Sequence, residues 1–214
     1  MASIARCNLH ATLWWLLVLR LKCAPQGFKE YRFRPFKLRG DQKVESILNR
    51  AGETVENRTV QLSEIRFRFQ GNYVSLADAR ASVEGGGSAE GEEPFQAIDG
   101  DSRTQWVDAD MRHIKIAFPK ATPIDSYTWI TANDSLARDP VRWVLDASND
   151  GTTYHSLHSV LFDYPTPTDR YTTLEWFRVP PCMEKTSRSG HQKCMDLSGL
   201  VDERLAFSVK GVPE

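Results

Sequence analysis

Asp99, Asp101 and Thr104 place three side-chain oxygens within six residues of the segment Ala97-Ile-Asp-Gly-Asp-Ser-Arg-Thr-Gln-Trp106, and Gly100 lets the chain turn so that backbone carbonyls can aim at the same spot. Oxygen donors without histidine or cysteine suit a hard cation such as Ca2+. The glycine comes too early for an EF-hand, and no glutamate stands at the twelfth position. Taken alone, the same residues also describe a solvated turn capped by Asp99.

Catalytic chemistry finds little material. The five histidines are scattered, and His155 and His158, in one strand-like run, are expected to face opposite sides of it, where they could not share a metal or a substrate. Nucleophile elbow, zinc-protease, P-loop and dinucleotide fingerprints are all missing. The cysteines at 7, 23, 182 and 194 have no zinc-ligand spacing. The polar sequence around Cys182 and Cys194 supplies no oriented base, so a disulfide or inert thiols is the expectation rather than a nucleophile. Glu92-Glu93 falls in flexible, exposed sequence where neither carboxyl would be perturbed enough for acid and base roles. A non-enzymatic role is expected.

The elements that must position these groups read as strands. The chain has 214 residues, 41% hydrophobic and 26% charged, which is enough for one domain of about 150 residues plus extensions. A net charge of -1 lacks the electrostatic footprint of a nucleic-acid binder, and no apolar run is long enough for a spanning helix. Apolar alternation with period two runs through Val60 to Phe69, and further strand-like runs are Tyr31 to Arg39, Arg112 to Phe118, Ile124 to Ala132, Val141 to Ala147, Thr153 to Leu161 and Tyr171 to Val179. Asp150-Gly151 marks a hairpin turn, because both residues tolerate positive φ. Gly40 to Glu56 reads as a partly helical excursion, and Gly85 to Glu93 as a polar loop. Short strands at this spacing predict an all-β fold, an antiparallel β-sandwich. Residues 1–24, with Arg6 ahead of Leu13 to Leu19, read as a signal or targeting segment, residues 25–181 as the sandwich, and residues 182–214 as a polar tail that is mostly loop. A secreted or secretory-lumen location follows from that reading, with sequons at Asn57 and Asn133.

Four segments in order, Asp99 to Trp106, Tyr127 to Asp134, Arg138 to Trp143 and Ser148 to Gly151, resemble the galactose-binding-like β-sandwich, the jelly roll of discoidin-type (coagulation factor type C) domains and many carbohydrate-binding modules. The resemblance covers about Tyr31 to Val179. It implies a structural calcium held by Asp99, Asp101, Thr104, the carbonyl of Gln96 and the pair Ser63-Glu64, where a serine replaces the family's alanine. Trp106 resembles a structural tryptophan of the family. The run Tyr31 to Arg39 followed by Val60 to Phe69 precedes the calcium loop instead of closing the domain, as in a circularly permuted version. Such a rotation would bring Cys23 near Cys182 for a bridge that clasps the ends; the competing pairing is Cys182 with Cys194.

Within the strand runs Tyr127, Trp129, Trp143, Trp176 and Phe177 are expected in the core. Residues in predicted loops are better placed to meet a ligand: Asn72, Tyr73, Arg103, Asp108, Asn133, Asp134 and Arg138. Arg138-Asp139 is alternatively a local ion pair bracing the loop before Pro140. An aromatic platform and planar polar side chains suit a glycan. The rival is a protein partner, with the chain as an accessory subunit or adaptor of a larger assembly. Binding to anionic membranes is the weakest of the three, since no loop combines adjacent large apolar residues with basic ones.

Overall fold

A computed structural model describes residues 27–43, 46–48, 54–56, 58–85, 88–180, 183–186 and 192–195. The targeting segment, Cys23, Asn57 and Cys182 lie outside the described residues, as does the side chain of Cys194. The sandwich is built from β1 (Phe28–Leu38), β2 (Val60–Leu62), β3 (Glu64–Phe69), β4 (Asn72–Tyr73), β5 (Arg80–Val83), β6 (Trp106–Asp108), β7 (Ile114–Thr122), β8 (Ser126–Ile130), β9 (Pro140–Ser148), β10 (His155–Val160) and β11 (Phe177–Arg178). One antiparallel sheet has the order β10-β9-β1-β7-β5, the other β11-β8-β3-β4, and β2 pairs with β6 in a short ladder of its own. The fold is therefore the expected all-β antiparallel sandwich.

Alternation explains the core. On β1, Tyr31 and Phe33 turn inward, and on β3, Ile65 and Phe67 meet them from the other sheet. Trp129 of β8 packs edge-on against Trp143 of β9 with centroids 5.6 Å apart, and Phe33 lies 5.9 Å from Trp143. Such pairs add about 0.5–1.5 kcal/mol each beyond the area they bury. Tyr127 is fully buried, and its hydroxyl accepts from Trp143 Nε1 at 2.7 Å and shares a hydrogen bond of 2.8 Å with His158 Nδ1, so the polar end of the ring is satisfied inside the core. Trp106 is buried with them.

Several sequence expectations change. The run from Val60 to Phe69 is two strands broken at Ser63, whose N–H donates to the Ile130 carbonyl at 2.9 Å and whose hydroxyl donates to the Thr131 carbonyl at 3.2 Å. The chain thereby leaves β6 and joins β8, and polar Gln61, Ser63 and Glu64 become buried. The run from Tyr171 to Val179 keeps only Phe177–Arg178 as a strand; Trp176 is half-buried on the outside, stacked with Arg68 and Tyr73, and is not a core residue. The register between β9 and β10 slips between Leu145 and Asp146. That bulge breaks the alternation on which opposite faces for His155 and His158 rested: His155 packs against buried Phe28 and His158 against Tyr127 and Phe177, at separate places. The turn at Asp150-Gly151 is present with only Gly151 at positive φ, +73°. Asp150 instead caps it by accepting from the Thr152 and Thr153 N–H groups at 2.8 and 2.7 Å. The tail stretch expected as loop contains a hairpin, Met183–Thr186 paired with Gln192–Met195, and the excursion after β1 contains a short 3-10 turn, Arg39–Lys43, and a hairpin of Ser46–Leu48 with Thr54–Glu56.

Candidate functional site

The loop between the 3-10 turn Pro94–Ala97 and β6 folds over the outer face of β3, at the end where Glu64 pairs with Ile130. Gly100 has φ +86° and no atom near where a Cβ would stand, so backbone conformation alone demands glycine there. Its N–H donates to Glu64 Oε1 at 2.8 Å. Asp99 Oδ1 accepts from the Asp101 N–H at 2.8 Å, an Asx turn that aims the other carboxylate oxygen at Thr104. The Thr104 hydroxyl lies 2.8 Å from Asp99 Oδ2, 2.7 Å from the Asp101 carbonyl and 3.4 Å from the Gln96 carbonyl. One hydroxyl proton cannot serve three acceptors.

Beside that knot the Glu64 and Asp99 carboxyls are in hydrogen-bonding contact, and burial first, then Asp99, push the Glu64 carboxyl up to about 7. Arg66 Nε stands 3.8 Å from Glu64, too far to hydrogen-bond it. Among the described residues no three acidic, histidine or cysteine side chains converge. The donor set is thus two carboxylates with a hydroxyl and two carbonyls, a combination that fits Ca2+ and would hold a softer transition metal poorly. Asp101 departs from the expected set. Its carboxylate turns outward to the Arg103 guanidinium, at 2.9 and 2.7 Å, which holds it down at about 2, and only its carbonyl faces the loop's interior. The carboxyls that meet are those of Glu64 and Asp99.

The residues expected to meet a ligand do not converge. Asn72 and Tyr73 pair with Phe69 and Arg68 at one end of β3, whereas Asn133, Asp134 and Arg138 follow Ile130 at the Glu64 end. Four residues of strand, about 13 Å, separate the two ends. Arg103 lies at the Glu64 end and is committed to Asp101. Asp108 is not in a loop: it sits on β6, fully buried, accepting from the Arg112 N–H at 2.9 Å and ion-paired to that guanidinium at 3.2 Å. Asn133 is exposed and its N–H donates to Gln105 Oε1 at 3.4 Å. Arg138 pairs with Asp134 at 3.5 Å and not with Asp139. Asp139 is buried and held by both Nη atoms of Arg170 at 2.9 Å, with Arg39 at 3.4 Å.

Two features escaped sequence reasoning. Arg170 Nε donates to the Ala132 carbonyl at 2.7 Å and the Tyr171 N–H to the Thr131 carbonyl at 3.1 Å, so the Tyr171 backbone is tied to the chain just before Asn133. It is 46% exposed, and its φ of +55° is a rare conformation for a bulky residue. No local signal marks such a residue, which follows Arg170, a side chain held by Asp139 and the Ala132 carbonyl. Leu161 and Phe162 form an exposed apolar pair after β10, next to Asp163, which binds Lys37 and Arg142. The cations Lys37 and Arg142 stand on strands, and the loop itself carries no basic residue next to the pair in sequence.

No protein-family model, no curated protein and no solved structure matches the chain. Fold and site together define an all-β sandwich with an oxygen-lined loop clasped to one sheet.

Proposed function

We propose that this chain is a non-catalytic binding module that recognises a glycan through the loops at the Glu64 end, with a structural calcium ion holding the 96–106 loop to β3. The observation behind the glycan reading is Tyr171: an exposed residue kept in a costly backbone conformation, of order 1–3 kcal/mol, at the end of the sheet from which Asn133, Asp134 and Arg138 also leave. A flat ring with planar amide, carboxylate and guanidinium groups beside it suits sugar rings and their hydroxyls. Glu64, Asp99, Thr104 and the Gln96 and Asp101 carbonyls would hold the calcium, whose role is to neutralise the buried carboxylates and fix the loop. A glycan array with the calcium-loaded chain tests the reading: binding should weaken by about 1–3 kcal/mol in Tyr171→Ala and Asn133→Ala. Absence of binding to any glycan would overturn it and favour a protein partner, for which the exposed Leu161-Phe162 pair offers a contact.

A further inference from the structure

The geometry points to a second ligand surface, on the outer face of the four-stranded sheet away from Tyr171, that takes a glycan bearing uronic-acid carboxylates. It goes beyond the end-loop site and does not depend on it. Arg66 and Arg68 occupy alternate positions of β3 and so share its outer face. Ser126 of β8 pairs with Arg68 on one side and with Arg178 of β11 on the other, which places Arg178 two strands, about 10 Å, from Arg68. Arg68 lies 3.8 Å from the Trp176 ring centroid and 4.5 Å from that of Tyr73, and it donates to the Tyr73 hydroxyl at 3.0 Å. The two rings meet edge to face at 5.6 Å, and Tyr73 is 61% exposed.

The charge on this face is not answered. Among the described residues neither Arg68 nor Arg178 pairs with a carboxylate, and Arg66 has only Glu64 at 3.8 Å. Two acids flank the face without an ion pair to these arginines: Asp125, which accepts from the Gln70 N–H and the Ser126 hydroxyl, and Glu175, which accepts from the Tyr164 hydroxyl. The outer face of the other sheet differs: Arg32 and Arg34 share Asp146 at 2.9 and 3.3 Å. Arg68 is fixed by its stacking, which orients the rings. Arg178 and Arg66 keep open guanidinium forks, whose geometry matches a carboxylate in two hydrogen bonds. A uronate carries its carboxylate directly on the sugar ring, so one residue can lay its ring on Tyr73 or Trp176 and present the anion to a neighbouring guanidinium. Repetition of the charge along an acidic polysaccharide engages the row of arginines.

The test is titration of the full chain in calcium with oligogalacturonate and with a neutral galactan of equal length. The acidic oligomer should bind, and Arg178→Ala and Trp176→Ala should each weaken it roughly tenfold or more. Arg178→Lys, which keeps the charge and loses the fork, should fall between, while Lys120→Ala on the other sheet should leave it unchanged. Equal binding of both oligomers, or indifference to Arg178→Ala in a variant that melts like the parent, overturns the second surface. Loss of acidic binding in Tyr171→Ala but not in Arg178→Ala assigns the oligomer to the end loops and overturns the second surface, whereas no binding of any glycan removes both.

Discussion

Asp139 and Glu64 are both carboxylates taken out of water, with exposures of 0% and 1%, and the chain answers them differently. Around Asp139, Arg170 supplies a two-pronged guanidinium and Arg39 a second cation, so the charge is compensated by the protein itself. Around Glu64 the chain places another carboxylate, Asp99, with a glycine N–H and a distant Arg66. Burial pushes both carboxyls up, Asp139 to about 6 and Glu64 to about 7; two guanidiniums pull Asp139 back, whereas Asp99 pushes Glu64 the same way as burial and only the Gly100 N–H and Arg66 pull against it. The contrast teaches what each site is for. The first is compensated within the chain and ties the Tyr171 loop to the start of β9, and the second has no cation within hydrogen-bonding reach of its carboxyl.

The most damaging way to test this contrast is Arg170→Ala. It leaves Asp139 buried against Arg39 alone, and urea unfolding should show a loss of about 3–5 kcal/mol. A loss under 1 kcal/mol would mean that the Asp139 knot was never the stronger of the two sites.

Next in size is a pH effect with a definite sign. In metal-free protein Glu64 holds its proton up to about 7 when folded but releases it near 4.5 when unfolded, so stability is full below 4.5 and is lost as pH rises through 7. At ~1.4 kcal/mol per pH unit the loss is about 3 kcal/mol. Asp139 shifts in the same direction, so the diagnostic quantity is the difference between the parent and Glu64→Gln, followed by thermal melts in chelator from pH 4 to pH 8. Identical profiles for the two proteins would show that Glu64 is not strained.

Calcium should reverse that loss. At a hundredfold excess over its dissociation constant the gain is about 2.7 kcal/mol, and each kilocalorie raises the melting temperature by roughly 2–4 °C at this size. Asp99→Ala and Glu64→Ala should abolish the response, while Asp101→Asn should keep it, because the Asp101 side chain faces Arg103 and only its carbonyl faces the loop's interior. A response lost equally in Asp101→Asn would refute this division of labour.

The smallest expected change lies at the loop that the Asp139 knot holds. Tyr171→Asn replaces an aromatic by a residue tolerant of positive φ and should stabilise the fold by about 1 kcal/mol while weakening glycan binding. Lower stability in that variant would show that Tyr171 is placed there for packing.

What could be read from the sequence was whatever depends on neighbours along the chain. Alternation located Tyr127, Trp129, Trp143 and Phe177 in a sandwich core, since inward and outward positions follow from the period of a strand. The spacing of Asp99, Gly100, Asp101 and Thr104 announced an oxygen-rich turn, and the positive φ of Gly100 follows from its lacking a Cβ. Tertiary structure alone decided which groups face each other across long separations. The break at Ser63 carried Glu64 beneath the loop and opposite Asp99, and Arg170 reached Asp139 from 31 residues away. Trp176 was misread because period two assigns a face only while a strand lasts, and here the strand is two residues long. The Asp101 side chain was likewise not decided by spacing: a carboxylate in a turn chooses between the loop's interior and a local guanidinium, and the path of the loop set Arg103 within its reach.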